Sequence, residues 1–317
     1  MMNNRRSFII GIKSTTLSTK EKKFIQKYKP WGIILFSRNI KNLHQLKNLT
    51  QNIKNTINDK KYPILIDQEG GRVSRLSNII DLSIFSQSYF GKLYNKNKKL
   101  FFHTYKIYID ITSDIMIQAG ININTVPVLD VFRKKSHKVV GDRSFSSNPK
   151  IVSEIGKICI DLYQKNKIAT VSKHIPGHGL SKFDSHLTLE KVNEKKVNLF
   201  NKDFIPFKNS KSFFAMTAHL IYKELDKDFT ATHSKIIIKE IIRKKIAFKG
   251  ILISDDISMK SLKYGLTNNA IMALEAGCNL VLHCNGNINE MRKLSKVIPK
   301  IDDFTQKKTS LFYNFLG

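Results

Sequence analysis

Acidic residues are scarce: 25 Asp and Glu face 54 Lys and Arg in 317 residues, a formal charge of +29. An excess of that size points on its face to an anionic partner, nucleic acid or a membrane surface. The distribution argues otherwise. Basic stretches such as Lys20 to Lys23, Lys96 to Lys99, Lys191 to Lys196 and Arg243 to Lys245 are scattered among abundant Asn and Ile, which is the pattern of compositional drift. No nucleic-acid recognition module accompanies them, so specific nucleic-acid binding is not expected.

Cysteine is equally scarce. Cys159, Cys278 and Cys284 are odd in number, lie in apolar or strand-like surroundings and form no C-x-x-C pair. That excludes a disulfide framework and reads as reduced core residues of a cytosolic protein. Long apolar runs are missing too: Phe8 to Ile12, after the polar and basic Met1 to Arg6, is too short for a signal-peptide core or a membrane span. The expectation is a cytoplasmic chain with no membrane partner. No low-complexity linker divides it, and no glycine-rich phosphate fingerprint follows the first apolar run.

What is present is an alternation of apolar and amphipathic segments. The strand candidates are Ser7 to Ile12, Gly32 to Phe36, Pro63 to Asp67, Ile121 to Asp130, Ile168 to His174, Phe213 to His219, Gly250 to Asp255 and Leu280 to Cys284. They are near-continuous in Ile, Val, Leu and Phe, as strands covered on both faces should be. Between them, helices are expected over Thr19 to Tyr28, Leu43 to Ile57, Phe101 to Ala119, Pro149 to Lys165, Asn198 to Lys208, Ser234 to Ile246 and Asn268 to Ala276, with a helical tail from Glu290 to Gly317. The segment Glu69 to Lys99 reads as an extended loop. Eight repeats predict an α/β fold, a single-domain (β/α)8 TIM-type barrel covering residues 1–317. An open doubly wound sheet is the structural alternative.

Polar residues stand at the strand ends: Asp67, Asp130, Lys173 with His174, His219, Asp255 with Asp256, and Asn285. In a barrel all of these ring one mouth, where barrel enzymes place their chemistry. Singly, each has a plainer reading, Asp67 and Asp130 as turn or rim residues and His219 as a satisfied core histidine. The densest stretch is Lys173-His174-Ile175-Pro176-Gly177-His178-Gly179, followed by Asp184-Ser185-His186. Asp67-Gln68-Glu69-Gly70-Gly71-Arg72-Val73-Ser74-Arg75 offers donors and acceptors suited to sugar hydroxyls, and Gly141-Asp142-Arg143-Ser144-Phe145 adds an arginine. At the end of the seventh strand, Ser254-Asp255-Asp256-Ile257-Ser258-Met259 places two adjacent acids on opposite faces. One is a candidate nucleophile and its neighbour structural.

These four segments, in this order, resemble glycoside hydrolase family 3, and within it the single-domain bacterial β-N-acetylglucosaminidases of cell-wall recycling. The resemblance implies Asp255 as nucleophile, His186 as general acid/base and Asp184 as its partner, with Asp67, Arg75, Arg143, Lys173 and His174 contacting the sugar. Ile175 stands where the family usually has Phe and Asp142 where Glu is common, which leaves every catalytic side chain in place. The implied substrate is a carbohydrate, terminal N-acetylglucosamine on muropeptides. The expected enzyme is a monomer needing no cofactor and no metal, since the histidine spacing is not H-E-x-x-H. Two alternatives stay open: a relative acting on another β-linked sugar such as glucose or xylose, and a basic, non-catalytic barrel binding anionic partners.

Overall fold

Alternate residues of most strands divide between two cores. On β1 (Arg6–Gly11) Ile9 belongs to a cluster with Trp31, Ile34, Leu65, Ile123, Ala169, Val171, Phe214, Met216, Ile251, Ile253, Leu280 and Leu282, while Phe8 and Ile10 pack with residues of the surrounding helices. The first cluster fills the inside of a barrel and the second lies between barrel and helices, the arrangement that period-two alternation in a closed parallel sheet dictates. The computed structural model describes residues 4–134, 140–181 and 189–317.

The barrel closes through β1, β2 (Pro30–Leu35), β3 (Ile64–Ile66), β4 (Ile123–Asn124), β5 (Ala169–Ile175), β7 (Phe214–Thr217), β9 (Ile251–Asp256) and β10 (Leu280–His283), with β10 returning to pair with β1. Every adjacent pair is parallel. The eight-stranded closed barrel agrees with the expected (β/α)8 class, and the open sheet is excluded. A separate two-stranded parallel sheet joins β6 (Glu190–Val192) to β8 (Leu220–Tyr222).

The helices Thr19–Tyr28, Leu43–Ile57 and Pro149–Lys165 have the expected bounds because their stop and start signals are local. Ser18 and Glu21 form a capping box, Asn42 caps the second helix and Asn148 precedes Pro149 at the start of the third. Elsewhere the expectation needs correction. Glu69 to Lys99 is not loop throughout, for it contains the helix Gln87–Lys96, capped by Ser86. Asn97 then caps a helix that starts at Lys98, three residues before the expected Phe101. β4 is only two residues long; Pro127 has no N–H to extend the ladder, though Val128 bridges back to Lys173. The region expected as one helix over Asn198 to Lys208 is broken into short helical turns around Pro206, and Ile237–Lys245 winds as a wider π-type coil. The tail splits at Pro299 into Ile288–Val297 and Asp303–Leu316.

That last helix plugs one end of the barrel. Phe312 is fully buried against Trp31 and Phe214, and Trp31 Nε1 donates to Thr309 Oγ1 at 2.9 Å. Burying an aromatic of this size stabilises by about 1.5–3 kcal/mol. The opposite end is left open for chemistry. Among the described residues no helix is long and apolar enough to cross a membrane.

Candidate active site

The inward set of each strand, continued past the strand's end, lines a cavity of about 250 Å³ at the open end of the barrel. Leu65 on β3 leads to Asp67, Val171 on β5 to Lys173, Ile253 on β9 to Asp255, and Leu282 on β10 to Cys284. Round the barrel, β3 to β5 and their loops contribute Asp67, Arg75, Thr125, Arg143, Lys173, His174 and His178. β10 and β2 contribute Leu282, Cys284, Ile34 and Phe36, and Met216 and Met259 complete an apolar arc. Asp255, on β9 between Met216 of β7 and Leu282 of β10, stands within the apolar arc.

The charged arc is one network. Asp67 Oδ2 accepts from Arg75 at 2.9 Å, and Oδ1 accepts from Thr125 Oγ1 at 2.5 Å and from Lys173 Nζ. Lys173 Nζ also reaches Glu69 Oε1 at 2.6 Å, and Arg143 grips the same Glu69 carboxylate through two N–H groups. Burial alone would raise the Asp67 carboxyl, but Lys173 and Arg75 outweigh it and hold Asp67 well below the usual carboxylate range. Glu69 is held down in the same way by Arg143 and Lys173. Burial works against the charge on Lys173 too, and Asp67 with Glu69 reverse it, so the ammonium persists. The site is therefore a fixed set of buried ions whose dipoles and lone pairs need no reorganisation when a polar ligand enters.

The loop that carries these groups is built by backbone capture. Buried Gln68 accepts from Arg75 N at 2.8 Å and Leu76 N at 3.0 Å, and Asn124 pairs with both main-chain groups of Gln68. Asp130, only 2% exposed, accepts from His174 Nδ1 at 2.7 Å and from His178 N at 2.6 Å, which fixes the histidine loop to the segment that follows β4. Gly177 has φ +149, and a Cβ at Gly179 would meet the Val131 carbonyl at 1.9 Å. Glycine on both sides of His178 thus lets the loop fold against its neighbours. His178 itself is buried; burial first, then His174, pushes its imidazole down to about 3, so it is neutral at cellular pH.

Asp255 and Asp256 behave differently although both reach the cavity. Asp256 Oδ1 accepts from Ser258 N at 3.0 Å and Ser258 Oγ at 2.8 Å, which commits it to the turn. Asp255 Oδ1 accepts from Asp256 N at 2.8 Å, and its side chain extends the inward set of β9.

Of the eight residues proposed from the sequence, Asp67, Arg75, Arg143, Lys173, His174 and Asp255 come together around this cavity. Asp184 and His186 lie outside the described residues. His219 is not at the cavity surface. It is fully buried, with Nδ1 2.7 Å from Thr232 Oγ1 and Nε2 3.1 Å from the Asp256 carbonyl, a core histidine behind the β9 turn. Asn285 also departs from expectation: it is exposed and donates to Glu290 at 2.6 Å, and the residue before it, Cys284, lines the cavity instead. Sequence reading overlooked Thr125, Met216 and Cys284, although counting by twos from Ile123, Phe214 and Leu282 finds all three. Among the described residues no group of three or more His, Cys, Asp or Glu is placed to hold a metal ion.

A closed parallel barrel with a sugar-sized cavity at one end, walled by ions on one arc and apolar groups on another around an inward carboxylate, defines a barrel enzyme of the glycosidase class. Residues 9–309 match the glycosyl hydrolase family 3 N-terminal domain. A β-hexosaminidase of Hydrogenovibrio crunogenus is 32% identical over 295 residues, covering 91% of this chain and 81% of its own. One of Haemophilus influenzae is 33% identical over 289 residues, covering 88% and 79%. The crystal structure of NagZ from Neisseria gonorrhoeae in complex with N-trifluoroacetyl-D-glucosamine superposes with a TM-score of 0.87 at 29% identity, covering 98% of this chain and 90% of that one. The chain belongs to glycosyl hydrolase family 3.

Proposed function

We propose that this chain is a retaining β-N-acetylglucosaminidase that removes terminal, non-reducing, β-linked N-acetylglucosamine from cytoplasmic muropeptides in peptidoglycan recycling. The barrel of residues 1–317 is its single catalytic domain, and it acts as a monomer. The observation that carries the reading is the position of Asp255: an inward carboxylate that shares a cavity about the size of one sugar with a wall of pre-paired ions.

In this reading Asp255 attacks the anomeric carbon and forms a glycosyl-enzyme. His186 protonates the leaving oxygen and then takes a proton from water. Its intrinsic pKa of about 6.5 leaves both states accessible. Asp184 orients the ring and favours the imidazolium. The assignment of His186 and Asp184 rests on the resemblance of the Asp184-Ser185-His186 segment to the family pattern. Asp67, Arg75, Arg143, Lys173 and His174 receive the sugar hydroxyls, and the apolar arc takes its C–H face. The β-hexosaminidase relatives, and the N-acylated glucosamine in the NagZ structure, support the choice of an acetamido sugar.

A panel of chromogenic β-glycosides tests this. The N-acetyl-β-glucosaminide should be cleaved far faster than the β-glucoside or β-xyloside, because a site that pairs the acetamido group leaves polar atoms unpaired without it. Equal rates would transfer the protein to another sugar. A folded protein inert on the whole panel would leave only a binding role.

A further inference from the structure

The corner where the helices Gln87–Lys96 and Lys98–Gln118 meet combines a run of exposed lysines free of acids with exposed large hydrophobic side chains. From Leu82 to Ile109 there is no Asp or Glu, while Lys92, Lys96, Lys98, Lys99 and Lys106 are all exposed. Every residue from Asn95 to Leu100 is exposed. On the first turn of the second helix, Leu100 and Phe102 are each 48% exposed on either side of the fully buried Phe101, and Ile107, further along, is 45% exposed. A stretch with more basic residues, Lys22 to Asn58, is also free of acids but exposes no large hydrophobic side chain.

The corner is held firmly. Tyr94 and Phe101 stack edge to face with ring centroids 5.0 Å apart, and Tyr94 donates to Glu154 of the helix Pro149–Lys165 at 2.6 Å. Gly91 lies so close to the Phe145 carbonyl that a Cβ there would come within 1.7 Å of it, so the helix is seated against the segment that supplies Arg143. The helix Lys98–Gln118 feeds β4, so its first turn stands at the same end of the barrel as the cavity.

We propose that this corner docks the protein on the surface of an anionic lipid bilayer, with Leu100 and Phe102 entering the headgroup layer and the lysines facing lipid phosphates. The expectation of no membrane partner rested on the lack of a spanning segment, and attachment to a bilayer surface needs none. Two other occupants fit less well. A second copy would set lysines against lysines, and nucleic acid gains nothing from an exposed leucine and isoleucine beside the phosphate contacts. Anionic bilayers reward both features at once. Acids resume at Asp110, which pairs with Lys106, so the docking surface is the corner and first turns of the helix and not its whole length. Docked in this way, the open end of the barrel faces the lipid–water boundary.

Co-sedimentation with phosphatidylcholine vesicles, with and without about one quarter phosphatidylglycerol, tests the proposal. The protein should bind the anionic vesicles and not the neutral ones. Each lysine near such a surface changes partitioning roughly fivefold, so Lys92→Gln, Lys96→Gln, Lys98→Gln and Lys99→Gln combined should reduce binding by at least about a hundredfold. Leu100→Glu with Phe102→Glu should reduce it by at least about tenfold. The control, Lys20→Gln, Lys22→Gln, Lys23→Gln and Lys27→Gln on the helix Thr19–Tyr28, should change it little. All three variants should cleave a soluble chromogenic substrate at the parental rate, which separates this test from that of the hydrolase assignment. Equal losses in the control and corner variants would overturn the proposal in favour of diffuse charge. So would undiminished binding by the Leu100→Glu, Phe102→Glu variant, or binding to RNA that survives physiological salt while vesicles stay unbound.

Discussion

Glu69 and Arg143 meet fork to fork: Arg143 Nε donates to Oε2 at 2.7 Å and Nη2 to Oε1 at 2.8 Å, with the Glu69 side chain only 1% exposed. With Lys173 as a third partner, Glu69 is ionised well below neutral pH and has no proton to give. Its task is to hold two cations at the edge of the cavity. Glu69→Ala should therefore cost about 3–5 kcal/mol of stability by leaving buried charge uncompensated. Glu69→Gln should fold but lower kcat/KM at least about tenfold as Arg143 loses its fixed direction. Urea melts and steady-state kinetics on the two variants check this, and a Glu69→Gln enzyme of parental stability and activity would contradict it.

The two proposed catalytic residues should separate by leaving group. Asp255→Ala should abolish turnover of every substrate, since no glycosyl-enzyme forms. With His186→Ala an activated phenol still departs unprotonated, but the second step loses its base. Rapid mixing should show a burst of phenol before a slow steady state, and azide should accelerate that steady state and give a β-glycosyl azide. Asp184→Ala should show a milder form. A uniform loss on activated and unactivated substrates, with no burst and no azide product, would remove His186 from the acid/base role.

Acid should destabilise the fold in a defined window. An unfolded imidazole takes up its proton near pH 6.5. Burial keeps folded His178 neutral down to about 3, and His233, pushed down to about 4 by burial and then His219, acts in the same sense. Between these limits the unfolded chain binds more protons, so stability falls as pH drops from about 6.5 towards 3, by a few kcal/mol per buried imidazole at most. Asp130 extends the loss. Burial would raise its carboxyl, but His174 and His178 hold it at about 2, so the stability it contributes above its ordinary range disappears as pH falls towards that value. Thermal melts from pH 7 to pH 4 should show the decline, and His178→Gln should flatten it. A slope unchanged by that substitution would mean that His178 titrates normally in the folded state.

Removing metal should change nothing. His174 and Asp130 bond to each other, and among the described residues no three His, Cys, Asp or Glu side chains converge to hold an ion. Dialysis against a chelator should leave the rate unaltered, and loss of activity restored by zinc would refute the assignment of the histidine loop.

How much of this was legible in the sequence depended on the range of the interaction responsible. Ser18, Asn42 and Asn148 mark helix starts by bonds within a turn, and those helices have the expected bounds. Asp255 and Asp256 both line the cavity, so side-chain parity along β9 does not separate them; the bonds from Ser258 to Asp256 do. The helix Gln87–Lys96 stayed hidden because its packing partners, Phe101, Tyr105 and Phe145, are supplied by later elements. The pairing of Glu69 with Arg143 joins residues of two separate loops, and no spacing rule encodes it. Asn285 looked like a mouth residue because it is polar and follows a strand, yet parity favours Cys284, and polarity is the weaker guide at a barrel's rim.

The pairing of β1 with β10 has a consequence for biosynthesis. Phe8, Ile9 and Ile10 lie beside Val281, Leu282 and His283, so the first strand of the barrel to be made gains its second neighbour only when the barrel's last strand has been translated. Until then its free edge and the hydrophobic interior stay open to other chains. Phe312, which stops the far end, arrives later still. A nascent chain of this protein therefore spends most of its synthesis as an unclosed sheet, and a premature stop anywhere before β10 should yield an insoluble fragment rather than a smaller enzyme.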